Sequence, residues 1–410
     1  MKKTILGVLF SNFTGAGIGF LLNIILARLL SLEEYGRINL ILTMVIVIFT
    51  FFEFGFNNST VIFYNKFKEK YSNIEIYINK LYIKYLLLVS FPIIALVLIL
   101  RSFYHLTTLE TSIIIINVMI FSIYRYILSV YQAKAEWKTY NIVTIMNNVL
   151  KLIILVSFLL VAYYIHYTNV YNIILFSYAV SAVMLLIITL IISTPFNKLK
   201  FDKKENIFRD FKKIIVPIGI SNIFIIISMR ADIFFIEYYL DSEQLGIYIA
   251  ANSLALVFPL ITSSLMNVFI QKSSNEKSDF LEKLFQSQKK YIPYLILILV
   301  ALILISKPLF LILFGEEYIE SVNIFRILLI AYIGGIFFTP LESYFYSHHQ
   351  KIILQIKFLQ MLLIIFGVWI TSKWFALEAI ATVIVLSRIL GWVILYFNVR
   401  GVRIEFNNVK

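Results

Sequence analysis

The sequence predicts an all-α membrane protein with twelve transmembrane helices in two six-helix halves. Of the 410 residues, 60% are hydrophobic and only 14% are charged, and the mean hydropathy is +0.88. A soluble domain is about half apolar and about a quarter charged. Long apolar stretches recur along the chain, and its second half aligns on its first without gaps. These three observations predict the fold class.

Each predicted helix is an apolar stretch of the length that a bilayer requires, about 20 residues. A membrane barrel would instead show segments of about ten residues with alternating hydrophobicity, and the sequence lacks that pattern. The twelve predicted spans are 6–30, 38–63, 81–103, 110–132, 141–164, 170–194, 214–240, 246–270, 291–314, 323–346, 352–373 and 376–399.

The loops between the spans differ in charge from one side of the membrane to the other. With the N-terminus placed in the cytoplasm, the inner loops include "KFKEKY" (66–71) and "KLKFDKK" (198–204), whereas the outer loops include "SLEEYGR" (31–37) and "GEEYIES" (315–321). Cytoplasmic loops carry an excess of Lys and Arg. The sequence therefore predicts a multi-pass protein with both termini in the cytoplasm. The same bias explains the net charge of +13 without nucleic acid as a partner.

The two halves align when the sequence is shifted by 210 positions. This shift places "FSNF" (10–13) on "ISNI" (220–223) and "LLSLEEYGRI" (29–38) on "YLDSEQLGIY" (239–248). Because each half holds an even number of spans, both halves enter the membrane the same way up, which makes a parallel repeat. We predict six-helix bundles over 1–194 and 214–410, a cytoplasmic basic linker over 195–213, and a central cleft between the bundles.

Metal and thiol chemistry are not expected. The chain has no cysteine and four histidines, of which His348 and His349 are adjacent and cannot share a helix face. No HExxH-type spacing occurs. We therefore predict no metal site, no bound cofactor, no catalytic residue and no enzymatic activity.

Several spans contain cations, and ionisable residues inside a membrane are functional candidates by default. For those near mid-span, the competing interpretation is a buried ion pair that fixes helix packing. For those near an interface, the competing interpretation is that the side chain extends to the headgroups. The candidates for a cationic cleft are Arg230, Lys151, Arg388, Arg125 and Arg28.

The stretch "SMRADIFFIEYYL" (228–240) holds two opposite charges within one span. Arg230 and Asp232 are two positions apart, which on a helix separates them by about 200°, so they do not pair directly. We expect Arg230 to face the cleft, and Asp232 either to balance a cation on another helix or to take up a proton. Asp232 and Glu53 are the candidates for coupling to H⁺ or Na⁺. Polar residues predicted in the cavity are Asn12, Asn148 and Asn222.

Three stretches resemble a known family. "ARLLSLEEYGRINLILTMVIVIFTFFEFGFNNS" (27–59) resembles the opening of Wzx-type polysaccharide exporters, in which a loop ending "EYG" leads into a helix that ends near "FG". "DIFFIEYYLDSEQLGIYIAANSLALVFPL" (232–260) and "LFGEEYIESVNIFRIL" (313–328) are similar to later helices of that family. The resemblance implies the multidrug/oligosaccharidyl-lipid/polysaccharide exporter (MOP) superfamily and a MATE-like fold.

This resemblance implies a flippase of a bacterial inner membrane. Its substrate would be an undecaprenyl-diphosphate-linked oligosaccharide, moved to the outer leaflet by alternating access for O-antigen or capsule synthesis. The partners implied are membrane lipids and the polymerase and chain-length proteins of the same pathway. The cationic cleft would hold the pyrophosphate, which Arg can bind in a bidentate manner, together with the attached sugars.

Two alternatives compete with this interpretation. A MATE-like multidrug exporter would have the same fold, but its cationic substrates call for acidic residues where this chain has Lys and Arg. A membrane polysaccharide polymerase or glycosyltransferase belongs to a different class, and would be expected to carry a large extramembrane loop or paired carboxylates. The outer loops of this chain are short.

Overall fold

A computed structural model describes residues 2–71, 74–192, 206–262, 266, 290–374 and 376–407. Side chains of 2–13, 206–207, 346–348, 350 and 399–407 are outside the description. The described residues form α-helices joined by short turns, with one 3₁₀ helix at Glu316–Tyr318. The helices are α1 Lys2–Leu29, α2 Leu32–Glu53, α3 Phe56–Phe67, α4 Ile74–Phe103, α5 Thr108–Ala133, α6 Trp137–Tyr164, α7 Val170–Ile192, α8 Asn206–Tyr239, α9 Ser242–Ala255, α10 Ile292–Leu313, α11 Ser321–His348, α12 Gln350–Trp374 and α13 Leu377–Asn407.

The described part of the chain contains eleven helices long and apolar enough to cross a membrane, and α1 adds a shorter apolar stretch, Thr14–Leu29. The all-helical membrane fold with about twelve spans is therefore confirmed. Of the predicted span 246–270, only residues 246–262 and 266 are described.

The second predicted span, 38–63, is wrong as a single helix. The structure ends α2 at Glu53 and begins α3 at Phe56. Between them, Phe54 and Gly55 have φ of 43° and 73°, a left-handed conformation that glycine adopts without steric cost. The Glu53 carboxylate accepts hydrogen bonds from the backbone N–H of Gly55 at 3.3 Å and of Asn57 at 2.7 Å. It thereby satisfies amides at the start of α3 that would otherwise lack partners.

Close packing on α8 accompanies this break. A Cβ added at Gly55 would lie 2.8 Å from the backbone nitrogen of Gly219, and one added at Gly219 would lie 2.6 Å from the carbonyl oxygen of Phe54. Both distances are shorter than real Cβ contacts, so both positions require glycine. The break thus depends on a residue far away in sequence.

The helix ends bear out the parallel repeat. A shift of 210 positions carries the ends of α1, α4 and α6 onto the ends of α8, α10 and α12, and the start of α2 onto the start of α9. The N-caps agree as well. Ser31 Oγ accepts from the Glu34 amide at 3.2 Å, and Asp241 Oδ1 accepts from the Gln244 amide at 2.7 Å.

The chain divides into two compact units. Unit 1 comprises 1–22 and 38–226, and unit 2 comprises 23–37 and 227–410. Residues 23–37, at the turn between α1 and α2, thus belong with the second half of the sequence. The division into bundles at a linker over 195–213 remains a prediction, and most of that linker lies outside the described residues.

Unit 1 is built on aromatic packing. The rings of Tyr82 and Tyr126 stack with centroids 3.7 Å apart, and Phe56, Phe63 and Phe211 surround them as fully buried neighbours. Aromatic rings bury large areas each and dominate the energy of such a core. This cluster fixes α3, α4, α5 and the first part of α8 together.

Unit 2 contains a backbone contact between repeat-related turns. A Cβ added at Gly36 would lie 1.9 Å from the carbonyl oxygen of Ser242, and one added at Gly246 would lie 2.2 Å from that of Leu32. A shift of 210 positions exchanges the two members of each pair. The contact is therefore locally two-fold symmetric, and it places the first turns of α2 and α9 against each other.

Candidate functional site

Asp232 is held by a neighbouring helix of unit 2. Its side chain is 4% exposed, and its carboxylate accepts hydrogen bonds from the hydroxyl of Tyr248 on α9 and from the Ile233 amide at 3.0 Å. A buried carboxylate requires such partners, because an unsatisfied buried charge is very costly. Arg230, two positions earlier, is half-buried. The partner on α9 is a tyrosine hydroxyl, and the balancing of a cation on another helix or the uptake of a proton by Asp232 remains a prediction.

Arg230 and Arg388 both lie within electrostatic range of the Tyr332 side chain on α11. Neither guanidinium makes an ion pair or a hydrogen bond to any residue that the structure describes. Tyr332 donates its hydroxyl to Asn252 Oδ1 at 3.1 Å. Three helices, α8, α11 and α13, thus bring two guanidinium groups with free donors towards one polar region of unit 2.

An ion pair lies within electrostatic range of Arg388. Glu342 on α11 pairs with Lys357 on α12, and Arg388 lies within electrostatic range of the Glu342 carboxylate. The described cluster therefore holds three cations and two carboxylates, an excess of one positive charge when all five ionise. Since Arg presents a planar fork that matches phosphate oxygens, this cluster has the chemistry to hold a phosphate-containing anion.

Unit 1 contains a separate cation. Lys151 on α6 is half-buried in a membrane-spanning helix, and no residue in the described part of the chain pairs with it. One turn earlier, the buried amide oxygen of Asn147 accepts no hydrogen bond from any residue that the structure describes. Asn148 packs closely on α1, because a Cβ at Gly15 would lie 2.7 Å from Asn148 Nδ2. Lys151 and Asn147 could bind an anion and a hydroxyl donor respectively.

Glu53 and Arg125 lie in unit 1 within electrostatic range of each other. The contacts of Glu53 are the backbone amides at the start of α3, which give it a local structural role. Arg125 is exposed. The structure thus explains why Glu53 is buried, and its coupling role remains a prediction.

Arg28 binds the C-terminal end of α10. Its guanidinium donates from Nε to the Leu313 carbonyl at 2.9 Å, and from Nη2 to the carbonyls of Leu311 at 3.0 Å and Ile312 at 2.5 Å. The last carbonyls of a helix lack partners, and the helix dipole favours a cation there. The structure thus gives Arg28 a packing role, while its substrate contact remains a prediction.

Arg230, Asp232 and Arg388 each lie within electrostatic range of the Tyr332 side chain in unit 2, and Lys151 and Asn148 lie one turn apart on α6 in unit 1. Asn222 is half-buried on α8. Asn12 lies in α1, outside the residues whose side chains are described.

Some members of the polar cluster in unit 2 are not among the predicted site residues. They are Tyr248, Asn252, Tyr332, Glu342 and Lys357. A tyrosine in mid-span, away from the interfaces where tyrosine is enriched, is the one sequence signal that could have suggested Tyr332. The ion pair joins different helices, so no local spacing indicates it.

The family described as "Polysaccharide biosynthesis protein" matches residues 1–274, more than half of the 410 residues. The chain belongs to this family. The resemblance to polysaccharide exporters is thereby confirmed. No curated protein matches the chain.

Solved structures show how widely the fold of this family member is shared. An inward-facing multidrug resistance MATE transporter of the MOP superfamily aligns with a TM-score of 0.74 at 11% identity, covering 95% of each chain. The lipid II flippase MurJ in an inward closed conformation aligns with a TM-score of 0.70 at 16% identity, covering 98% of this chain and 88% of its own. A MOP superfamily transporter from Pyrococcus furiosus, whose binding pocket is described as reversed in polarity, aligns at 0.59 and 12% identity over 97% and 95%. The fold is therefore MATE-like, and the chain is a multi-pass membrane protein.

Proposed function

We propose that this protein is a flippase for an undecaprenyl-diphosphate-linked oligosaccharide in a bacterial plasma membrane. Its family membership supports a place in polysaccharide biosynthesis. Its fold, shared with a lipid II flippase and with drug exporters, supports transport. The proposal adds the substrate class, the cytoplasmic-to-outer direction and the alternating-access mechanism.

One observation carries the proposal. Arg230 and Arg388 lie in membrane-spanning helices, are within electrostatic range of the same tyrosine, and make no ion pair with any described residue. Ionised groups inside a membrane are costly and are retained where they have a function. A diphosphate crossing hydrocarbon would lose its hydration at a cost of several kcal/mol per group, and two guanidiniums would replace those lost contacts.

We further propose that Asp232 tunes these cations. It lies within electrostatic range of both Arg230 and Tyr332, so a change in its ionisation changes the field at the guanidiniums. A proton or Na⁺ bound there would neutralise the carboxylate and so strengthen the positive potential that a substrate anion meets at the guanidiniums. The supporting contact is the hydrogen bond from Tyr248, which fixes the carboxylate in place.

The test is to delete the protein from its host and locate the lipid-linked oligosaccharide that accumulates. In intact spheroplasts, material on the outer leaflet is oxidised by impermeant periodate, whereas material on the inner leaflet is protected. Protected material supports the flippase. Oxidised material would contradict it and favour a polymerase. A deletion strain that becomes sensitive to cationic drugs and still exports oligosaccharide would favour a drug exporter.

Arginine variants sharpen this test. We expect Arg230→Gln and Arg388→Gln each to lower transport by roughly 10- to 100-fold, the loss that follows from one charge-assisted hydrogen bond. Arg326→Gln is the matched control, because Arg326 is also half-buried in a span but donates to Ser306 Oγ at 2.8 Å. Transport is normalised to protein abundance. Equal losses in all three variants would contradict a specific role for the cluster.

A further inference from the structure

Exposed cations from two distant segments form one surface at the end of unit 1 that is predicted to face the cytoplasm. One segment follows α3 and the other opens α8. This basic surface consists of Lys66, Lys68, Lys70, Arg209, Lys212 and Lys213, all exposed. It also contains Asp210 and Glu69, so six cations face two carboxylates.

Asp210 joins the two segments. Its carboxylate lies 3.7 Å from Lys70 Nζ and 3.9 Å from Lys213 Nζ, and it accepts a hydrogen bond from the Tyr71 hydroxyl at 3.4 Å. The interactions of Lys70 with the Tyr71 hydroxyl and then with Asp210 raise the pKa of Lys70, because they stabilise its ammonium form. The arrangement is therefore held by specific contacts and is more than a run of lysines.

Aromatic rings support the surface from below. The fully buried ring of Phe211 packs edge-on against Phe63 at 5.3 Å, and Phe67 packs on Phe63 at 4.8 Å. The ammonium groups of Lys66 and Lys70 lie over the Phe67 ring at 5.6 and 5.5 Å. These contacts restrict the lysine side chains and so lower the entropy cost of binding an anion.

The position of the surface indicates its partner. Helix α8 has 34 residues, which at 1.5 Å per residue is about 51 Å, whereas the hydrocarbon core is about 30 Å thick. Its first residues therefore extend beyond the core, and exposed Phe208 lies beside these cations. Aromatic residues are enriched at the headgroup level. Basic residues next to a span attract anionic lipids.

We propose that this basic surface binds the headgroups of anionic phospholipids in the leaflet that it faces. The phosphodiester supplies the negative charge, the exposed cations supply the complement, and Phe208 enters the interface. Lys66, Lys68, Arg209 and Lys212 make no ion pair with any described residue, so their charges are available. This inference goes beyond the proposed function and does not depend on which molecule is transported.

The test uses the full-length protein in mild detergent and counts bound lipid by native mass spectrometry. Phosphatidylglycerol and phosphatidylcholine are added in equal amounts, and we expect preferential retention of phosphatidylglycerol. The double variant Lys66→Gln/Lys212→Gln should lower its apparent affinity by roughly tenfold, since each basic residue near the surface contributes severalfold. Lys66→Arg/Lys212→Arg should retain binding, which separates lost charge from lost folding.

The matched control is Lys138→Gln/Lys351→Gln, which removes the same charge from the same predicted side. Both lysines are exposed and make no ion pair with a described residue, and we expect less than a twofold change. Equal losses in both glutamine doubles would overturn the proposal in favour of net charge alone. Displacement of phosphatidylglycerol by equimolar undecaprenyl phosphate would also overturn it, because the surface would then belong to the substrate lipid.

Discussion

The two repeats of this chain agree at their turns and differ in their interiors. Ser31 and Asp241 occupy equivalent positions and cap equivalent helices, and Gly36 and Gly246 make mutually equivalent backbone contacts. Close backbone contacts tolerate no added atom, so both copies of the glycine are needed.

The interiors have diverged in charge. The shift of 210 positions that matches the turns places Asp232 and Tyr248 on Leu22 and Ile38 of the first repeat. A hydrogen-bonded buried pair in one repeat is thus an apolar pair in the other. The fold itself therefore does not require this polar contact, which favours a functional reason for it.

The largest expected effect is at the shared turns. Gly36→Ala should destabilise the protein by about 3 kcal/mol or more, because the new methyl group would meet the carbonyl oxygen of Ser242 in the backbone. Gly246→Ala should destabilise the protein by a similar amount, because its methyl group would meet the carbonyl oxygen of Leu32. The measurement is the thermal midpoint of the purified protein in detergent. Gly17→Ala is the control, because nothing lies within 4 Å of its added Cβ. An unchanged midpoint for Gly36→Ala would show that the turns can separate without loss of stability.

An intermediate effect is expected from installing the first-repeat residues in the second repeat. Asp232→Leu alone leaves the Tyr248 hydroxyl buried without its partner and should cost about 1–3 kcal/mol. Asp232→Leu with Tyr248→Ile removes both polar groups and should recover most of that loss, since apolar replacement of both partners is often nearly neutral. Thermal unfolding of the two single variants and the double variant measures the coupling.

The same double variant separates stability from transport. We expect it to remain folded while oligosaccharide export falls at least tenfold, because Asp232 no longer tunes the nearby cations. If the stable double variant exports normally, Asp232 has only a packing role. If it fails to fold, the apolar pair of the first repeat is not interchangeable with the polar pair.

A smaller effect is expected at Arg28. Arg28→Leu should cost about 1–2 kcal/mol, because three carbonyls at the end of α10 lose their donor. Arg28→Lys keeps the charge but loses the fork geometry, so it should recover part of the stability. A drop in export larger than the drop in folded protein would instead support the predicted substrate role of Arg28. Stability is measured by thermal unfolding, and oligosaccharide export is measured in cells that produce the same variant.

The span number, the parallel repeat and the family follow from the sequence because apolar length, charge bias and repeated turns are properties of the linear chain. Apolar length alone misses the break at Phe54, because the predicted span 38–63 runs through it and packing on Gly219 fixes it; the only sequence signal for it is the helix end near "FG" in the resembled family. The same holds for Arg28, whose three acceptors are backbone carbonyls more than 280 positions away. Residue type alone cannot identify such partners.

The candidate site was predictable only in part, because the sequence shows residue types but not which helices pack together. Charged residues inside spans are visible in the sequence, so Arg230, Asp232 and Arg388 could be named. Their common neighbour Tyr332 could not, since the convergence of α8, α11 and α13 is a property of the packed bundle.

The attachment of residues 23–37 to unit 2 has a consequence for the biosynthesis of the chain. While the ribosome is still translating the second repeat, the newly inserted first hairpin lacks the contact of Gly36 with Ser242 and the hydrogen bonds of Arg28 to the end of α10. The first hairpin then remains in the bilayer without these packing partners, exposed to lipid and to proteases, until α9 and α10 are inserted. A gene divided at 195–213 should therefore yield fragments that persist only when both are produced in the same cell.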